Sequence, residues 1–529
     1  MRLHRYAFLP LLWLAACTPQ GSPTGPAAAA ATAHPGHAHA DTPGLQWFDG
    51  SVEQAFAEAR RTRKPILLYW GAVWCPPCQQ LKATVFSRPD FIAKSRLFVP
   101  VYLDGDGEGA QKWGEQFHVS GYPTMVVLDA DRHEQMRIAG GMDLSQYAAV
   151  LDVALADLEP VDQLLAKASA GGVLDDSQCR RLALNGWLLD DVPPEAQIAA
   201  RSQQLSTAAA RCPASLVTER ARLTVVAAAL LAKSQGKALE QGAAPGADLQ
   251  AAVANVGKVL ADTRRGVAVA DVLFALGDDF FLAVKASRDS AKWLASYVRV
   301  MDAAAIEPSY AEADQLDAIW AKLHALKGAG AAIPEGAARA AMARIDSALA
   351  GQQAPYVRMS IVNSVLNIYD LIGQNERGYA VAKAELAHSS TPYYYMDDLG
   401  DICAALGRKE EALQWYERGY EAAQGTATRF QWGEQYAAAL LEFRPADADK
   451  IASVTAQVLG ELDGPDRIYR RARVRLERLD KALRGWNDSG KGAHNAVLVA
   501  LHARMQQVCT RIPATEPART SCDAFLAGS

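Results

Sequence analysis

Ile66-Leu67-Leu68-Tyr69-Trp70-Gly71-Ala72-Val73-Trp74-Cys75-Pro76-Pro77-Cys78 runs from an unbroken apolar segment into a pair of closely spaced thiols. Residues 66–70 are a short, continuous apolar stretch of the kind that forms a central strand. A turn at Gly71 delivers Trp74 and the two cysteines to the start of a helix that continues through Leu81 and Val85. Two thiols three residues apart at a helix N-terminus can close a small disulfide ring, and the positive end of the helix stabilises a thiolate on the first of them. Cys75 is then the attacking nucleophile, nearer the helix end and exposed, and Cys78 resolves the mixed disulfide. Two other readings of the pair stay open: a static disulfide, or half of a metal site. For the latter, His118 and His133 lack the spacing of a second ligand pair.

The flanking pattern is that of an α/β unit. Val52, Ala55, Phe56 and Ala59 fall at helical spacing, and Lys64-Pro65 ends that helix. Leu97 to Leu103 predicts a second strand, Ala110 to Phe117 a helix, and Thr124 to Leu128 a third strand with a hairpin through Asp129-Ala130-Asp131. Gly121-Tyr122-Pro123-Thr124 precedes the third strand. With Trp-Cys-x-x-Cys after a buried strand and this x-Pro-Thr segment in the right order, residues 47 to about 157 resemble the thioredoxin superfamily. The resemblance implies a central mixed sheet flanked by helices over residues 46–157. It also implies a cis Pro123 lying against the cysteines, where the Tyr122 backbone can pair with an extended client. Trp74 either covers the disulfide as an apolar lid that shapes the client surface or simply packs in the core. Sulfurs walled off from solvent, or Tyr122-Pro123 extended and distant from them, contradict this reading.

Lys82 to Asp90 looks like the reductase-side branch that includes the C-terminal periplasmic domain of DsbD-type electron conduits. Pro76 and Pro77 bring no N–H to the Cys75 sulfur, so the thiolate is less stabilised than in a strongly oxidising site, which favours a reductant. The buried acid that the family places six positions before the first cysteine is Tyr69 here, and Val73 also stands where an acid is common. Asp104 is a candidate substitute for the proton route, or simply a loop-facing carboxylate. No bound cofactor or metal is expected.

Residues 1–16 have the basic, apolar and small-residue order of a secretion signal, and Leu14-Ala15-Ala16-Cys17 resembles the bacterial lipobox, which implies cleavage before Cys17 and its lipidation. Thr18 after the cysteine leans toward the outer membrane. Residues 17–45 read as a flexible Ala/Pro/Gly tether whose His34, His37 and His39 are either solvated linker residues or a metal-capturing cluster. No later stretch is long and apolar enough for a transmembrane helix.

Beyond residue 160 the strand signal gives way to helical periods separated by Gly, Pro and Ser. An offset of 34 aligns Gly373 with Gly407, Tyr369 with Cys403, Gly378 with Ala412 and Ala382 with Tyr416. Leu399-Gly400, Gly407, Ala412 and Tyr416 resemble a tetratricopeptide repeat, so residues 356–525 are expected to stack as such repeats after a less regular helical region at 160–355. Cys403 falls at an apolar repeat position and reads as a buried thiol. Cys509 with Cys522, and Cys179 with Cys212, are candidates for structural bridges in an oxidising compartment.

The 529 residues are half hydrophobic with a net charge of −5, enough chain for three or four domains and a poor balance for nucleic-acid binding. The combined expectation is a membrane-anchored, periplasmic thiol:disulfide oxidoreductase, acting as a reductant on cysteines of exported proteins. A DsbD-type transmembrane conduit recharges it, the helical region binds client or partner, and the lipid is its only membrane contact. The alternatives are an interaction scaffold whose redox fold is a docking module, and an oxidase or isomerase with the same residues.

Overall fold

Ser51 begins the first helix. Its hydroxyl accepts from the Gln54 N–H while the Gln54 side chain returns to the Ser51 backbone, and this capping box opens α1 (Val52–Thr62). The computed structural model describes residues 45–528 except 108, 120, 140–145, 157–158, 189–194, 352 and 465–466. Residues 1–16, Cys17 and the three tether histidines lie outside the described residues.

After α1 come β1 (Ile66–Gly71), α2 (Pro76–Thr84), α3 (Pro89–Ser95), β2 (Val99–Asp104), α4 (Ala110–Gln116), β3 (Thr124–Leu128), β4 (Glu134–Ala139) and α5 (Gln146–Ala156). The sheet order is β2-β1-β3-β4, with β2 parallel to β1 and the other pairs antiparallel. β1 is buried along its whole length because both faces are covered. Ile66, Leu68 and Trp70 face the core with Phe56 and Trp113, whereas Leu67 and Tyr69 face the core with Leu81, Phe86 and Phe91. The period-2 alternation of a strand thus divides one apolar run between two cores. Pro100 is tolerated in β2 because that strand lies at the sheet edge.

The remaining described residues are built from helices, α6 (Val161–Ser169) through α25 (Pro517–Ala524). The offset of 34 reappears in the packing. Gly373 and Gly407 both take left-handed φ values, +70° and +74°, just after α17 (Pro355–Leu371) and α19 (Pro392–Ala405). Their aligned partners Tyr369, Cys403, Ala382 and Tyr416 are all buried. Cys179 is joined to Cys212 and Cys509 to Cys522; Cys403 is a buried free thiol.

The α/β domain and the helices pack as one compact unit. At the β4 edge, Ile138 forms a lone antiparallel bridge with Asn185. The Asn185 side chain accepts from Arg137 N at 2.7 Å, and Gly186 N donates to Arg137 O at 2.8 Å. This closes a strand edge that would otherwise present unpaired backbone groups.

Candidate functional site

Cys75 is the N-cap of α2, with Pro76 and Pro77 following in the first turn, where a missing N–H costs nothing. Its sulfur accepts from Cys78 N at 3.3 Å and is bonded to the Cys78 sulfur, the two Cα atoms lying 5.2 Å apart. Gln79, buried behind the pair, donates to Ala72 O and Val73 O and so braces the turn that carries Trp74. The Tyr122–Pro123 peptide is cis, and the Tyr122 ring lies 6.3 Å from that of Trp74. A Cβ on Gly105 would stand 2.5 Å from the Tyr122 ring, so only glycine lets β2's end approach it. Gln111 ties this group together by donating to Gly105 O and to the Tyr122 hydroxyl.

The expected exposure is overturned. Cys75 is 2% exposed and Cys78 is fully buried. The cover is not the α/β domain itself but the helices that follow it. α17 packs along α2, bringing Val362 and Leu366 into one apolar cluster with both cysteines. Ser360 of α17 donates from its hydroxyl to Pro76 O at 3.1 Å. From α15 (Glu312–Gly328), Asp314 accepts from Gln80 at 3.2 Å.

Trp74 and Tyr122, read as the client surface, are likewise engaged. The Trp74 indole stacks on Tyr394 of α19 at 6.4 Å and meets Trp432 of α21 (Thr426–Phe443) edge-on at 5.1 Å. Its N–H donates to the Thr428 hydroxyl at 2.8 Å. Thr428 in turn donates from its hydroxyl and its backbone N–H to the Asp106 carboxylate, the latter at 2.8 Å. Arg471 of α23 (Arg470–Ser489) lies over Tyr122, 4.1 Å from the ring centre, and 5.7 Å from that of Trp74. Between Trp74, Tyr122 and these helices remains a cavity of ≈ 20 Å³, room for about one water and none for a peptide.

Asp104 is held by local hydrogen bonds. Its carboxylate accepts from the Tyr102 hydroxyl at 2.9 Å and from Asp106 N at 3.0 Å, which keeps it within its own strand and turn. Tyr69, at the position of the missing acid, sits among Trp47, Phe86 and Tyr102, and burial pushes its phenol well above the ordinary range. Asp106, which sequence reading passed over, is raised by burial against the pull of the two Thr428 hydrogen bonds. Among the described residues no group of three or more His, Cys, Asp or Glu side chains is arranged to hold a metal ion.

Asp106, Ser360, Thr428 and Arg471 complete the surroundings of the disulfide, yet no local signal marks them. They stand up to 396 positions from Cys75 along the chain, and Gly425-Thr426-Ala427-Thr428 has only the look of a turn opening another helix.

Residues 52–155 match the family model described as "Thioredoxin-like domain". This segment is a thioredoxin-like domain. Over 105 residues the chain is 31% identical to "Thiol:disulfide interchange protein DsbD" of Citrobacter koseri, a likeness covering 19% of this chain and 18% of that relative. The chain thus matches less than a fifth of the relative's length. The thioredoxin-like domain is followed by the large helical region, in which, as elsewhere among the described residues, no helix is long and apolar enough to cross a membrane.

Proposed function

We propose that the protein is a thiol:disulfide oxidoreductase on the periplasmic side of a bacterial envelope, held there by a lipid on Cys17. The observation that carries this reading is the bonded Cys75–Cys78 pair at the head of α2, with a cis Tyr122–Pro123 peptide in the same domain. With the pair reduced, the Cys75 thiolate attacks one sulfur of a client disulfide. That S–S bond breaks, a mixed disulfide forms and one client thiolate leaves. The Cys78 thiolate then attacks the Cys75 sulfur and releases the second client thiolate, so the client gains two electrons and the pair becomes the disulfide.

The direction is reductive. Within the first turn of α2 the Cys75 sulfur receives the Cys78 N–H alone, because Pro76 and Pro77 have none to give. Recharging draws on another dithiol protein, a transmembrane donor of the DsbD type, and the helical region engages clients or partners through tetratricopeptide-like repeats. A Cys78→Ser variant should accumulate mixed disulfides with exported proteins, and the wild type should reduce insulin. The equilibrium potential against glutathione should fall near ~−270 mV rather than ~−120 mV. Absence of both mixed disulfides and insulin reduction overturns the proposal.

The burial of both sulfurs favours a second reading, a static Cys75–Cys78 bridge inside an interaction scaffold. It requires a potential below roughly −300 mV, out of reach of the glutathione pool, and partner capture that survives Cys75→Ala.

A further inference from the structure

The two contacts between the α/β domain and the helices differ in kind. At the β4 edge the contact includes backbone-to-backbone pairing, the Ile138–Asn185 bridge and Gly186 N on Arg137 O, reinforced by the Arg181 guanidinium on Gln135 O at 3.0 Å. Around the disulfide the polar contacts all include a side chain. Trp74 donates to Thr428, Thr428 to Asp106, Ser360 to Pro76 O, and Gln80 to Asp314. Glu115 of α4 pairs with Arg473 of α23 at 3.0 Å.

The Thr428 clasp is built for close approach. Gly425 takes φ +82°, and a Cβ there would stand 2.2 Å from the Asp106 carboxylate carbon, so both the backbone and the space demand glycine. The Thr428 hydroxyl serves as acceptor for the indole and donor to the carboxylate at once, which leaves Trp74 Nε1, Thr428 and Asp106 mutually satisfied in a buried place. Hydrogen bonds of this sort are replaceable by water, and each adds only modestly to a closed state.

Resting on the oxidoreductase reading, we propose that the helical region is a reversible cover of the redox site. The opening turn of α21 occupies the place beside Trp74 and Tyr122 where a client chain would lie. The thioredoxin-like domain opens by parting the Trp74–Thr428–Asp106 clasp, the Glu115–Arg473 pair and the α2–α17 seam with its Ser360–Pro76 contact, while the Asn185 anchor at β4 stays made. The resting protein is therefore self-inhibited, and a client or electron donor must displace Thr428 from Trp74 and part α17 from α2 to reach Cys75.

The test uses the full chain, mildly reduced, with the rate of N-ethylmaleimide addition to Cys75 read by peptide mass spectrometry. Thr428→Val keeps the side-chain volume and removes both hydroxyl roles; it should label at least about tenfold faster than wild type. Glu115→Arg should also accelerate labelling, and Glu115→Arg combined with Arg473→Glu should slow it again, a rescue that misfolding cannot imitate. Wild-type labelling as fast as that of both opened variants overturns the cover, whatever the insulin assay gives. Opened variants that label quickly yet neither reduce insulin nor, with Cys78→Ser, trap mixed disulfides leave the cover standing and remove the oxidoreductase reading.

Discussion

Cys75–Cys78 and Cys179–Cys212 are equally shut off from solvent, every one of the four residues being under 5% exposed. Their covers differ. Cys179 and Cys212 join α7 (Asp176–Leu184) to the end of α8 (Glu195–Arg211), and the residues around them belong to the same helical layer and the same core. Exposing that bond means unfolding the layer. Cys75 and Cys78 sit at the head of a helix in one domain and are roofed by α17, α19 and α21 of another, so a rigid separation uncovers them with every helix intact. Burial alone therefore does not separate a structural bridge from an exchanging one. What decides is whether the cover belongs to the same domain as the bond or is laid over it by another, as α17 is over Cys75 and Cys78.

The widest test of this contrast is stability. A bridge constrains the unfolded chain in proportion to the logarithm of the loop it closes, and Cys179–Cys212 spans 33 positions, Cys509–Cys522 spans 13, and Cys75–Cys78 only 3. Replacing Cys179 and Cys212 by alanine should cost about 4 kcal/mol, the Cys509 and Cys522 pair about 3, and the Cys75 and Cys78 pair about 2. Urea midpoints of the three double variants should fall in that order. A Cys75/Cys78 double variant as damaged as the Cys179/Cys212 one would make the active-site pair a staple and end the contrast.

A second test acts on the roof. α17 points Ser360 at Pro76 O and, one turn on, Ser364 at Asp317 of α15, donating at 2.7 Å. Desolvation raises the Asp317 carboxyl from its ordinary 3.8 to about 6, partly offset by Ser364. Because the folded state holds this proton more tightly than the unfolded chain, the associated stability is fully present below pH 3.8 and is lost as pH rises through about 6. Asp317→Asn keeps an acceptor for Ser364 and removes the ionisation. It should raise the melting temperature at pH 7.5, by an amount equivalent to at most about 3 kcal/mol and less where water reaches the carboxylate, and the gain should shrink on acidification to pH 5. A gain that is unchanged across that range contradicts the assignment.

Much of the α/β domain is legible in residues 47–157 because strand and helix periods are local properties. The β3 limits fall at Thr124 and Leu128 as the pattern gives them, whereas β2 begins at Val99 rather than Leu97, which is half exposed outside the sheet. The sulfur pair and the cis peptide were equally readable, since both lie in short motifs. The roof was not. Val362, Tyr394 and Thr428 carry the apolar and small residues any stacked helix needs, and nothing in their spacing says that the surface they cover is another domain's redox site. Of the two roles open to Asp104, what the structure shows is a carboxylate accepting from its neighbour Tyr102, two positions away on the same strand.

Cys403 sharpens the contrast at the small end. It is fully buried like the bridged sulfurs, yet forms no disulfide, and it stands 34 positions after Tyr369, which is buried too. Burial, reinforced by Glu411, pushes its thiol up to about 12. At pH 8 only roughly one molecule in ten thousand then carries the reactive thiolate. Its cover is its own helical layer, as for Cys179, so opening the clasp at Thr428 should leave it untouched: in Thr428→Val, Cys75 gains maleimide while Cys403 stays unlabelled until the chain is denatured. Cys403→Ala should cost about 1 kcal/mol, the loss of one buried sulfur, read as a small drop in urea midpoint. Labelling of Cys403 in step with Cys75 would mean that the clasp variants loosen the helical layer itself instead of lifting it from the thioredoxin-like domain.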